Sequence, residues 1–185
     1  LHATVERLCA MADLPKPRVA IVDTTVPNAF ATGRNPNAAV VAVTTGLLDR
    51  LEQPEIEAVL AHELSHVRNR DVAVMTLASF FATLAQLLMR SFMWGGVYQR
   101  DRRQGRNGAA PMIVIYLVSL LVWVISFFLI RALSRYRELA ADRGAAVITG
   151  APSQLASALL KISGAMQRIP TRDLREIEAM NAFFI

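Results

Sequence analysis

The stretch AHELSHVRNRD, residues 61–71, places two histidines four positions apart with a glutamate directly after the first. The chain holds only three histidines, and the third, His2, lies near its start. On an α-helix, residues four apart share a face, so His62 and His66 can each offer an imidazole nitrogen to one ion. Glu63 is offset around the helix and can reach a water on that ion without ligating it. The division suits hydrolysis, because zinc lowers the pKa of its water to about 7 and a nearby carboxylate accepts the proton. A plain amphipathic helix can carry the same five letters, and a catalytic zinc needs a third protein ligand.

The surroundings favour a helix. Ile56, Val59, Leu60, Leu64 and Val67 keep a 3.6-residue rhythm, which gives the segment a core-facing stripe. Pro54 suits a first helical position, and Glu55 and Glu57 suit the positive end of the helix dipole. Upstream, residues 2–13 read as an amphipathic helix ended by Pro15 and Pro17. The runs RVAIVD (18–23), NAFATG (28–33) and AAVVAVT (38–44) read as three short strands, with Gly33 and Asn35-Pro36-Asn37 supplying a turn. The fold class expected is α+β, with a small three-stranded sheet and the H-E-x-x-H helix.

Downstream, residues 72–89 carry no charge but include Thr76, Ser79, Thr83 and Gln86; residues 112–130, MIVIYLVSLLVWVISFFLI, are uncharged and more apolar. Each approaches the roughly 20 residues needed to cross a bilayer core. Trp94, Tyr98 and Tyr116 stand near their ends, as interfacial aromatics do. Together they predict a membrane helical hairpin interrupting the domain. Arginines are balanced across it: Arg90, Arg100, Arg102, Arg103 and Arg106 on the connecting side, Arg68, Arg70, Arg131, Arg135 and Arg137 on the other. Charge therefore leaves the orientation open. The expected division is 1–71 with the sheet and H-E-x-x-H helix, 72–130 as the hairpin, and 131–185 as a helical part returning to the domain.

Composition agrees with a lipid partner. The chain is 54% hydrophobic and 19% charged, with mean hydropathy +0.35, above the apolar share of ordinary soluble domains. The net charge of +5 is almost all arginine, with lysine only at positions 16 and 161. No recognition motif accompanies it, so no nucleic acid is expected as a partner. A single cysteine, Cys9, excludes an internal disulfide and a thiolate cluster for zinc. A leucine at position 1 is expected of a chain that starts inside a longer protein.

A second charged, periodic segment, RALSRYRELAADRGAAVIT (131–149), can supply the missing ligand. Glu138 and Asp142 lie one turn apart and face one direction. Glu138 can complete a two-histidine, one-glutamate site, and Asp142 can accept a hydrogen bond from the outer nitrogen of a ligand histidine. The same pair can also be a solvated acidic face balanced by Arg135, Arg137 and Arg143. Gly144, Ala145 and Ala146 would allow close packing against the first helix. Ser153 can cap a last helix, QLASALLKISGAMQR.

Four motifs in order, PNAFATG, VTTGLLDRLE, VLAHELSHVRNRD and SRYRELAADRGAA, resemble the HtpX family of membrane-bound zinc metalloproteases, of the gluzincin type. The resemblance covers nearly the whole chain. It implies a gluzincin-type metallopeptidase domain with one zinc per chain, held by His62, His66 and Glu138. It makes Glu63 the general base and Asp142 the partner of His62, and gives Asn28, Ala29 and Phe30 to an edge strand that holds substrate. The implied function is endopeptidase quality control and stress response on misfolded or damaged membrane proteins. The implied place is the bacterial inner (plasma) membrane, multi-pass, with the catalytic domain facing the cytoplasm. Family members carry transmembrane helices before residue 1 and further sequence after residue 185, where an oxyanion-stabilising residue is expected. The rival readings are a processing peptidase resembling the CAAX prenyl proteases, and a non-catalytic membrane scaffold or pseudo-protease. The intact Glu63 speaks against the last.

Overall fold

The computed structural model describes residues 1–99 and 109–167. Residues 100–108 of the expected hairpin connection and the tail at 171–185 lie outside the described residues, as do the side chains of Trp94, Tyr98 and Tyr116. The described chain divides into two compact units: Leu1–Ala73 together with the chain from Arg137, and Val74–Tyr136.

In the first unit, helix α1 (His2–Ala12) buries Val5, Leu8, Cys9 and Ala12, and Asp13 closes it in a left-handed turn before the two prolines. Strands β1 (Arg18–Val22), β2 (Ala29–Thr32) and β3 (Val40–Thr44) follow. They form one sheet in the order β1-β3-β2, with β1 parallel and β2 antiparallel to β3. The central strand is the buried one, as its apolar run VVAVT requires. The third strand starts two residues later than the sequence suggests, because Pro36–Ala38 form a single 3-10 turn capped by the Asn35 side chain. Gly33, at φ 135, has no room for a Cβ beside the Ala38 and Ala39 backbone. Strand β2 pairs with β3 alone among the described residues, so its far edge is open.

Helix α2 (Thr45–Leu48) leads into α3 (Gln53–Asn69), which carries His62, Glu63 and His66. The start of α3 is fixed from two directions. Glu55 accepts from the Glu52 backbone N–H at 2.8 Å, and it receives Ser157 Oγ at 2.6 Å and Lys161 Nζ at 2.7 Å from α6. Those donors hold the Glu55 carboxyl down at about 2, with the bond from Lys161 the largest cause. One face of α3 buries Ile56, Val59, Leu60 and Leu64 in a core shared with Val5, Leu8, Val41, Val43 and Leu47. Helix α6 (Pro152–Met166) adds Leu155 and Ala158. It starts a residue before the expected cap: Ala151 holds the cap position, Pro152 opens the helix, and Ser153 lies inside it.

Two long helices carry the rest, α4 (Asp71–Gln99) and α5 (Ala109–Thr149). The apolar run 112–130 and the charged segment 131–149 form one helix, since neither Gly nor Pro stands between them to end it. Among the described residues no helix is long and apolar enough to cross a membrane. The expected pair of crossing helices is thus not seen there. In the second unit, large apolar side chains nevertheless stand exposed, among them Leu77, Phe80, Phe81 and Leu87 on α4 and Leu121, Phe128 and Leu129 on α5.

The part of α5 belonging to the first unit packs tightly on α3. Ala141 and Ala145 are buried, and a Cβ on Gly144 would fall 2.8 Å from Ser65 Cβ and 2.3 Å from its Oγ. Replacing Gly144 by Ala gains up to about 1 kcal/mol of helix propensity. Overpacking opposes it with about 1–3 kcal/mol, because Ser65 is itself buried with its hydroxyl bonded to Ala61 O. Gly144→Ala is therefore expected to lower the denaturation midpoint, and Ser65→Ala in the same chain to recover part of the loss. A midpoint at or above the parent value would contradict this close approach.

Candidate metal centre

His62 and His66 project from one face of α3 with their rings edge to face, 83° apart in plane and 4.7 Å between centroids. Their Nε2 atoms lie 3.1 Å from each other. Glu138, on the segment of α5 that Gly144 brings close, places Oε2 3.7 Å from each of the two. These three residues are the metal-competent group among the described residues. Three donor atoms at such spacings share a common point about 2 Å from each, the ordinary zinc–nitrogen and zinc–oxygen distance.

The outer ring nitrogens explain why the inner ones face each other. His66 Nδ1 meets Asp71 Oδ2 at 2.6 Å, and His62 Nδ1 lies 3.0 Å from Asp142 Oδ1. The second contact is bent, and His62 Nδ1 has no well-aligned hydrogen bond. Carboxylates only accept, so each assigns the ring proton to Nδ1. Both Nε2 atoms then present lone pairs across 3.1 Å. Two lone pairs and a carboxylate oxygen repel one another unless a cation lies among them, so the donor set fits a divalent metal. Burial and the neighbouring His66 lower the His62 pKa, against the carboxylates of Asp142 and Glu138, which raise it. Neutral imidazole, the ligating form, is favoured.

Both rings are mostly enclosed, with side-chain exposures of 16% and 14%, whereas Glu138 is 57% exposed. The histidine rings are thus enclosed while the carboxylate of Glu138 reaches solvent.

Glu63, next to His62 on α3, reaches the sheet. Its Oε2 accepts the Ala31 backbone N–H of β2 at 3.1 Å. Burial pushes its carboxyl up to about 8, helped by the charge of Glu138 and opposed by the Ala31 N–H. A carboxylate with raised proton affinity beside a metal-competent cluster is equipped to take a proton from water. A shallow recess beside His66 is lined by Ala31, Gly33, Val67, Arg70, Asp71 and Val72, among others.

Of the substrate residues expected from the sequence, Ala29 and Phe30 lie in β2 and Asn28 just before it. Asn28 O accepts the Thr44 N–H at 2.9 Å, and its own N–H goes to Thr44 Oγ1 at 2.8 Å. Sequence reasoning missed Asp71 and Arg137. Asp71 is buried at the first position of α4, and its Oδ2 also lies 3.3 Å from Arg137 Nε. The only trace in the sequence is an acid opening an apolar helix.

A sheet with an open edge, a helix bearing two histidines and a glutamate, and a glutamate from a second helix define a gluzincin-type metallopeptidase fold. The chain belongs to peptidase family M48, matched over residues 1–184, and a metal is implied for that family. It is 66% identical over its full length to a protease HtpX homolog of Moorella thermoacetica and 57% identical to protease HtpX homolog 1 of Streptomyces coelicolor. It covers 62% and 60% of those proteins, so the chain spans about three-fifths of the curated relatives it matches. Among solved structures it is similar to S. mikatae Ste24p, with TM-score 0.55 at 20% identity, over 86% of this chain and 41% of that one. That likeness concerns the fold alone.

Ligation and orientation make different demands on two acids one turn apart. Glu138→Ala is expected to leave two imidazoles and cause the larger loss of metal affinity. Asp142→Ala is expected to cost 10- to 100-fold. Competition for zinc against a chelator of known strength orders the two, and the reverse order would contradict the assignment.

Proposed function

We propose that this chain is the core of a zinc-dependent endopeptidase that cleaves misfolded or damaged membrane proteins as part of quality control under stress. The observation that carries the reading is the convergence of His62 Nε2, His66 Nε2 and Glu138 Oε2 beside the half-buried Glu63. The HtpX names of its relatives support it. Zinc, when bound by those three residues, supplies an acidified water and a Lewis acid for the scissile carbonyl. Glu63 would accept the proton of the attacking water and pass it to the leaving nitrogen. Asp142 holds His62 in its ligating tautomer.

Substrate adds to the open edge of β2. The Ala31 N–H, which points away from β3, is taken by Glu63, so the outward groups of Ala29 and the Ala31 carbonyl offer main-chain pairing to an extended peptide without demanding sequence. Asn28 and Phe30 flank that edge. Such pairing suits an enzyme with many unrelated substrates. The full-length protein lies in the bacterial inner membrane as a multi-pass protein with the site facing the cytoplasm. The exposed leucines and phenylalanines of α4 and α5 support a bilayer contact. A processing peptidase like the CAAX proteases draws only loose support from the Ste24p fold. A non-catalytic scaffold gains none, since the base is present.

Glu63→Gln keeps the shape and removes the base. In the full-length protein it should retain zinc at the parent stoichiometry while lowering cleavage of an unfolded membrane-protein substrate by at least about 100-fold. Cleavage near the parent rate would show that another group activates the water.

A further inference from the structure

We propose that Asp71 positions His66 for the metal and that Arg137 holds Asp71 in place, which makes the two a second support for the site. The inference rests on the metal reading above. Asp71 lies five residues beyond His66. On one uninterrupted helix it would be turned about 140° away from the histidine. The chain does not continue straight. Arg70 adopts φ 55, ψ 39, a left-handed conformation that a non-glycine residue takes only at a cost, and α4 begins at the next position. The break swings Asp71 back over the last turn of α3, where its Oδ2 meets His66 Nδ1 at 2.6 Å.

Asp71 is 4% exposed. A carboxylate buried to that degree is costly without a partner. The same Oδ2 forms an ion pair with Arg137 Nε at 3.3 Å; the contact is not aligned as a hydrogen bond, and that nitrogen has no aligned acceptor among the described residues. Arg137 directly precedes Glu138 in the chain. One turn of α5 therefore carries both the third ligand and the cation that steadies the carboxylate behind the second. The two rings are thus held by carboxylates from different helices, His62 by Asp142 of α5 and His66 by Asp71 of α4. Displacing Asp71 frees the His66 ring to rotate, and displacing Arg137 acts through Asp71.

The full-length protein tests this with zinc itself as the probe. Chelator competition reads the affinity, and the thermal midpoint of the metal-free protein reads the fold. Asp71→Ala should weaken zinc binding 10- to 100-fold, while Asp71→Asn, which still accepts the Nδ1–H, should recover most of that loss. Arg137→Met should weaken binding less than Asp71→Ala, and the double variant should be no weaker than Asp71→Ala alone, because the two act in series. Should Asp71→Ala fail to fold, the Asn and Met variants still give the reading. Affinity within about twofold of the parent in every variant would overturn the inference. So would a Met and Ala pair whose losses simply multiply, or losses that follow the metal-free midpoint with no rescue by Asn. If the parent protein takes up no stoichiometric zinc, the reading of the site fails first, and the inference with it.

Discussion

Two imidazole Nε2 atoms lie 3.1 Å apart, and with the ring protons on Nδ1 they turn two lone pairs towards one point. Their rings are kept there by Asp142 and Asp71 on the far nitrogens, and Glu138 adds a third electron-rich atom. A divalent cation would engage all three donor atoms at once. Much of the fold serves that end. The bonds of Glu55 to α6 fix the start of α3, Gly144 lets α5 lie against Ser65, and the left-handed Arg70 returns the chain onto His66.

The same geometry separates ligation from proton transfer. Glu63 is adjacent to His62 in sequence, yet it faces the sheet, bonded to the edge strand rather than to the ligands. A base placed on the strand side lies next to any peptide that pairs with β2. In the proposed reading, the Ala31 amide would join the binding edge to the base, with no loop required to close. The exposed Glu138 carboxylate reaches solvent.

How much could be read from the sequence depends on whether the information was periodic. The α3 helix, the three strands and the close packing at Gly144 follow from alternation, a 3.6-residue rhythm and small residues, and each is present in the structure. The pairing of Glu138 with the histidines follows from one helical turn and the family motif, and those atoms do meet. Asp71 was not legible. Its place depends on a helix break at Arg70 that neither Gly nor Pro announces, and a straight helix would send it elsewhere. The extent of α5 was misjudged for a related reason. A change from apolar to charged residues alters what a helix touches without ending it, so 109–149 form one helix where the sequence suggested two. The cap at Ser153 failed because Pro152 is already a sound first residue.

The central claim is that His62, His66 and Glu138 surround one zinc ion in a shell of nitrogen and oxygen. Zinc-edge X-ray absorption on the metal-loaded full-length protein tests it without relying on catalysis. The account predicts about four light scatterers at roughly 2.0–2.2 Å, two of them with the outer-shell pattern of imidazole. Loss of one imidazole contribution in His66→Ala would follow. A shell containing sulfur near 2.3 Å, or one without imidazole scattering, would contradict it.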